Sequence, residues 1–132
     1  MELVRQWLAK ADEDIRTGEA LLAADPPFSY PVCFHSQQAA EKHLKALLTW
    51  HQIELPKTHA IEQLLVLLRP VLPDVASSLR EAVVLTPFGV DIRYPGDQPE
   101  PSVKETRQAL GLARKVRDAI LPLLPKLPDA AR

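Results

Sequence analysis

The stretch from Cys33 to Gln52, CFHSQQAAEKHLKALLTWHQ, contains neither Gly nor Pro, yet prolines stand on both sides of it: Pro26, Pro27 and Pro31 before, Pro56 after. In a chain of 132 residues that carries 13 prolines, this uninterrupted run sets the architecture. Ala, Leu, Lys, Glu and Gln dominate it, and these side chains lose little rotamer freedom in a helix. Cys33, Ala40, Leu44, Leu47 and Leu48 recur at helical spacing and form one apolar stripe. Ala39, His43, Ala46 and Trp50 run along a neighbouring face. A helix that is apolar on two adjacent faces is central in a bundle, or touches both a core and a partner.

The other periodic segments are separated by the same punctuation. Helix one is predicted over Glu2 to Ala24, with Leu3, Trp7, Leu8, Ala11, Ile15 and Leu22 facing inward and Arg5, Gln6, Glu13, Arg16 and Glu19 facing water. Gly18 weakens it by about 1 kcal/mol relative to Ala. Asp25-Pro26-Pro27 ends it, because Pro disfavours helical dihedrals in its predecessor. Phe28 and Tyr30 fall in the linker, where packing onto the bundle is expected. Thr58 is the expected N-cap of helix three, with Glu62 in the first turn and Ile61, Leu64, Leu65 and Leu68 as its apolar face. That helix stops near Arg69-Pro70.

Helix four starts near Pro73, with Val75, Ala76, Leu79, Ala82 and Val83 as its stripe, and Thr86-Pro87-Phe88-Gly89 ends or kinks it. An irregular run follows to Pro101. Ser102-Val103-Lys104-Glu105 is a capping box that opens helix five, lined by Val103, Leu110, Ala113, Val116 and Ile120. Pro122, Pro125 and Pro128 break the tail, which is expected to be loose after about residue 122. The whole reads as one all-α domain over 1–132, an antiparallel up-down bundle of four long helices plus one short one, with Ala40, Leu44 and Leu47 in its core.

Composition narrows the function classes. A net charge of −1 gives no global field toward nucleic acid or membrane, so any such binding needs a local patch. The single Cys33 excludes an intramolecular disulfide and a cysteine metal site. No run approaches the roughly 20 apolar residues of a membrane span. The acid-bearing N-terminus, MELVRQWLAKADEDI, lacks the apolar core of a signal peptide, which points to the cytoplasm.

Four places carry chemistry-bearing side chains. His35, His43, His51 and His59 are spaced by eight, and within a helix that spacing separates side chains by about 80° and two turns. They do not converge on one ion, so they read as exposed polar residues and no metal is expected. Lys104, Arg107, Arg114 and Lys115 share a sector of helix five, and Lys42 and Lys45 share a side of helix two with His35 and Gln38; both sets read first as solvated faces, with phosphate binding as the alternative for helix five. The segment Asp91-Ile92-Arg93-Tyr94-Pro95-Gly96-Asp97 sets an Arg beside a Tyr on a stretch stiffened by Pro95 and freed by Gly96. Arg forks onto phosphates or carboxylates and Tyr stacks or donates, so a ligand contact and a cap on the bundle end remain as alternatives for this loop.

Taken in order, WLAKADEDI (Trp7–Ile15), QAAEKHLKALL (Gln38–Leu48), PKTHAIEQLL (Pro56–Leu65) and Arg93-Tyr94-Pro95 resemble the HEPN domain proteins. The resemblance spans most of the chain. It implies a helical bundle, commonly a homodimer, that partners a small nucleotidyltransferase in toxin–antitoxin-like systems and binds nucleotides or nucleic acid. The chemistry of the side chains predicts Arg93, Tyr94, Lys45 and His59 at a nucleotide, and no cofactor is expected. The ribonuclease branch of the family is similar in using an Arg followed four to six positions later by His. Here the last histidine is His59, so Arg69, Arg80 and Arg93 have none after them, while Lys45 and His51 have a similar spacing with the wrong cation. The resemblance therefore points to a binding module. A metal-independent ribonuclease toxin with a divergent site, whose catalytic residues are then unknown, and a structural dimeric adaptor are the alternatives.

Overall fold

The computed structural model describes residues 1–89, 94–96 and 99–126. Helix α1 spans Glu2–Ala23, α2 Ser29–Trp50, α3 Ile61–Leu68 and α4 Pro73–Ser78; a 3-10 helix follows over Arg80–Phe88, then α5 over Val103–Ile120 and a 3-10 turn at Leu121–Leu123. Among the described residues there is no strand. Helix α2 is the centre: it packs most heavily on α1 and α5 and also meets α3 and the first 3-10 helix. Thirteen of its 22 residues are buried, including all of Cys33, Ala40, Leu44, Leu47 and Leu48. The second line is buried too, at Ala39, His43 and Ala46, while Trp50 at its end stays 39% exposed.

The long helices are α1, α2 and α5, so the fourth long helix expected from the sequence is instead six residues of α4 followed by nine in 3-10 form. Of its expected stripe Ala76, Leu79 and Ala82 are buried and Val75 and Val83 half-buried, and Leu85 is buried as well. Pro87 lies inside the 3-10 segment, where it has no amide to complete a regular ladder. Helix α2 begins earlier than expected, at Ser29, because Pro31 falls in the first turn, whose amides need no intrahelical partner. Tyr30 thus belongs to α2, and its ring meets Phe88 edge-on at 5.9 Å, whereas Phe28 is 55% exposed and does not pack down.

Thr58 is not the N-cap of α3. Its hydroxyl accepts from Ala60 N, and the amide of Ile61, the first residue of α3, is capped by Thr86 Oγ1 at 3.1 Å, from 25 residues away. The capping box of α5 forms as expected, with both Ser102–Glu105 bonds at 3.0 Å. Leu3 and Val103 point outward, and Val4 takes Leu3's place in the core. Gly18 is buried where α1 crosses its neighbours; an added Cβ would stand 3.4 Å from Leu110 and 4.0 Å from His35. After α5, residues 121–123 are exposed and Leu124 is buried.

Candidate functional site

Two carboxylates are buried at α2, Asp14 from α1 and Glu41 from α2 itself. On the α1 side Asp14 is 7% exposed; its Oδ2 accepts from Lys42 Nζ at 2.6 Å and its Oδ1 lies 2.8 Å from His35 Nδ1. On the α3 side Glu41 is 3% exposed. Its Oε1 accepts from Gln37 Nε2 at 3.0 Å, its Oε2 accepts from Lys45 Nζ at 2.8 Å, and His59 Nδ1 lies 3.1 and 3.3 Å from the two oxygens. Gln37, Glu41 and Lys45 recur every four residues, so one line of α2 carries all three. The His59 imidazole is the outer member, with its side chain 74% exposed against 4% for Glu41.

Burial drives the Glu41 carboxyl upward in pKa, but the bonds from Lys45 and Gln37, the Lys45 charge and the His59 bond together outweigh it, and the net shift is downward. Glu41 is therefore an ionised acceptor at neutral pH. When its carboxylate accepts the Nδ1–H of His59, the other ring nitrogen carries the free lone pair, the arrangement by which a carboxylate fixes a histidine tautomer. Lys45 is 8% exposed; its ammonium is bound to Glu41 and stands 5.3 Å from the Trp7 ring centroid.

Gln37 ties this cluster to the loop that follows the 3-10 helix. It is fully buried, donates also to the His59 carbonyl at 2.9 Å and accepts from Gln38 Nε2 at 2.6 Å. The chain passes so close over it at Gly89 that an added Cβ would sit 2.9 Å from its amide carbon. Asp91, Ile92, Arg93 and Asp97 fall outside the described residues. Tyr94 is 71% exposed, and Gly96 turns the chain with φ +89°, which favours glycine.

Of the four residues expected at a ligand, Lys45 and His59 are brought together, through a carboxylate that the sequence reading did not single out. A Gln-x-x-x-Glu-x-x-x-Lys line on an otherwise apolar helix was its available signal. Lys42 and Lys45 are not on a solvated face, because each has a buried carboxylate to neutralise. Nor is His43 an exposed polar residue: it is 2% exposed, with Nδ1 2.9 Å from the Ala39 carbonyl, and burial lowers its pKa from 6.5 to about 4. On α5, Arg114 pairs with Glu19 at 2.7 Å and Lys115 with Glu81 at 2.9 Å, so half of that basic sector is neutralised. Cys33 is buried, and burial raises its thiol pKa above the ordinary value. Among the described residues no three His, Cys, Asp or Glu side chains converge as metal ligands, and no helix is long and apolar enough to cross a membrane.

The model of the HEPN domain matches residues 4–123. The crystal structure of TT1696 from Thermus thermophilus is similar, with 30% identity and a TM-score of 0.79 over 94% of this chain and all of that one. The structure of ST0689, an archaeal HEPN homologue, shares the fold at 21% identity and a TM-score of 0.72, covering 91% of this chain and 96% of that one. No curated protein matches.

Proposed function

The chain belongs to the HEPN domain family, and from that premise we propose that it is a nucleotide- or nucleic-acid-binding module that acts as a homodimer with a nucleotidyltransferase partner in a toxin–antitoxin-like system in the cytoplasm. The observation that carries the binding site is the exposed His59 imidazole seated on buried Glu41, beside Gln37, over which Gly89 passes closely. In this reading Arg93 forks onto phosphate oxygens, Tyr94 stacks on a base or donates its hydroxyl, and His59 completes the polar wall. Lys45 acts through Glu41, since its charge is already engaged there.

Calorimetric titration of the full chain with nucleotides tests it. Arg93→Ala removes one charged phosphate contact and is expected to weaken binding by roughly 1.5–3 kcal/mol, about tenfold or more. Unchanged affinity, or no binding by the parent, rejects the site.

One observation favours a second reading, the metal-independent ribonuclease. A histidine whose Nδ1–H is held by a carboxylate presents a lone pair suited to take a proton from a ribose hydroxyl. His59 has that placement, although it precedes Arg93 in the sequence instead of following it. RNA cleavage by the purified chain, lost in both Arg93→Ala and His59→Gln, would replace the binding reading with this one.

A further inference from the structure

On the face formed by α3, α4 and the start of the 3-10 helix lies an open cleft of about 530 Å³, within the roughly 300–1,000 Å³ of ordinary ligand pockets. Leu65, Ala76 and Val83 form its apolar floor, and Arg69, Arg80 and Glu62 are its charged members. No residue of this cleft belongs to the Glu41–His59 cluster.

Several other arginines find carboxylates: Arg5 meets Glu2 at 2.7 Å, Arg114 meets Glu19 at 2.7 Å and Arg117 meets Asp118 at 2.9 Å. Arg69 and Arg80 have no ion pair among the described residues, although Glu62 lines the same cleft. Glu62 accepts instead from the Thr86 hydroxyl, at 3.4 Å. The lining is thus left with net positive charge in a chain whose total is −1. Two guanidinium forks with no carboxylate partner among the described residues, on separate elements around an apolar floor, match an anionic head with an aliphatic body. No aromatic ring lines the cleft to stack on a nucleobase.

We propose that the Arg69–Arg80 cleft binds a small aliphatic organic anion, its carboxylate or phosphate head on the two guanidinium groups and its hydrocarbon chain on Leu65, Ala76 and Val83.

Hexanoate and hexyl phosphate are the probes, and inorganic phosphate and hexanol are their separate halves. Titrations of the full chain are followed by the methyl NMR resonances of Leu65 and Val83. At least one hexyl anion is expected to shift both residues saturably, and to bind at least tenfold more tightly than either half; which of the two binds better identifies the head group. Arg69→Ala and Arg80→Ala, both at exposed positions, should each weaken that binding about tenfold, the cost of one charged hydrogen bond. Arg93→Ala should leave it unchanged, which separates this cleft from the nucleotide site. The proposal is overturned if neither hexyl anion gives a saturable shift, if hexanol binds as well as the anions, or if both arginine variants bind like the parent while retaining the parent's circular dichroism.

Discussion

The Asp14 and Glu41 clusters are built from the same parts, a buried carboxylate with a Lys and a His, but their partners come from different places. Asp14 belongs to α1 and both of its partners to α2, and the three side chains are covered alike, at 10%, 19% and 27% exposure for Asp14, Lys42 and His35. That cluster clasps two helices. Glu41 takes Gln37 and Lys45 from its own helix, so those bonds join no second element; only His59 comes from elsewhere, and it opens to solvent. A carboxylate whose partners are all covered acts on stability. One whose outer partner is exposed holds that partner in position at the surface. A third histidine, His43, lies on α2 with a backbone carbonyl for its Nδ1 partner and no carboxylate bonded to it.

The largest expected effect tests the frame common to both clusters. Leu44 is fully buried in α2, and Leu44→Ala should cost about 2–5 kcal/mol by denaturant unfolding. A loss below about 1 kcal/mol, typical of surface sites, would remove α2 from the centre and the contrast with it.

Acid sharpens the contrast between a histidine without a carboxylate and those with one. Folded, His43 stays neutral down to about pH 4; unfolded, it takes a proton near 6.5. Between those values the unfolded state binds the extra proton, so stability that is full above 6.5 falls as pH drops and levels off below about 4. A gap that wide corresponds to about 3 kcal/mol. Unfolding measured from about pH 7.5 to 4 should show this loss in the parent and lack it in His43→Leu. Glu41, with its lowered pKa, adds a further loss only in the carboxylate range, and in both proteins.

The smallest effects separate the clusters themselves. Asp14→Asn leaves Lys42 largely covered beside a neutral amide and should cost about 1–3 kcal/mol with nucleotide binding unchanged. His59→Gln, at an exposed side chain, should change stability by less than about 0.5 kcal/mol yet weaken the nucleotide. The reverse pattern in chemical unfolding and calorimetry would exchange the roles assigned to the two clusters.

Much of this architecture was legible in the sequence. The capping box placed the start of α5 because Ser102 and Glu105 are three residues apart and complete each other without outside help. The apolar stripes of α2 marked its burial because side chains at helical spacing must share a face. The start of α3 was misread because its cap is Thr86, brought from the other side of two turns. Lys42 and Lys45, with His35 and Gln38, looked solvated because a charged side chain on a helix reads the same in the sequence whether water or protein covers it.

What the sequence by itself determined is what local chemistry decides: which segments are helical, where proline and capping residues stop them, and which faces are apolar. Tertiary structure decided the environment of each charge. Asp14 reaches Lys42 across 28 residues and His59 reaches Glu41 across 18, and no spacing rule in the chain encodes those distances. They follow from α1 and α3 both packing against α2, where burial forces every ionised group to find a partner, and the partner found is the one the fold brings within reach.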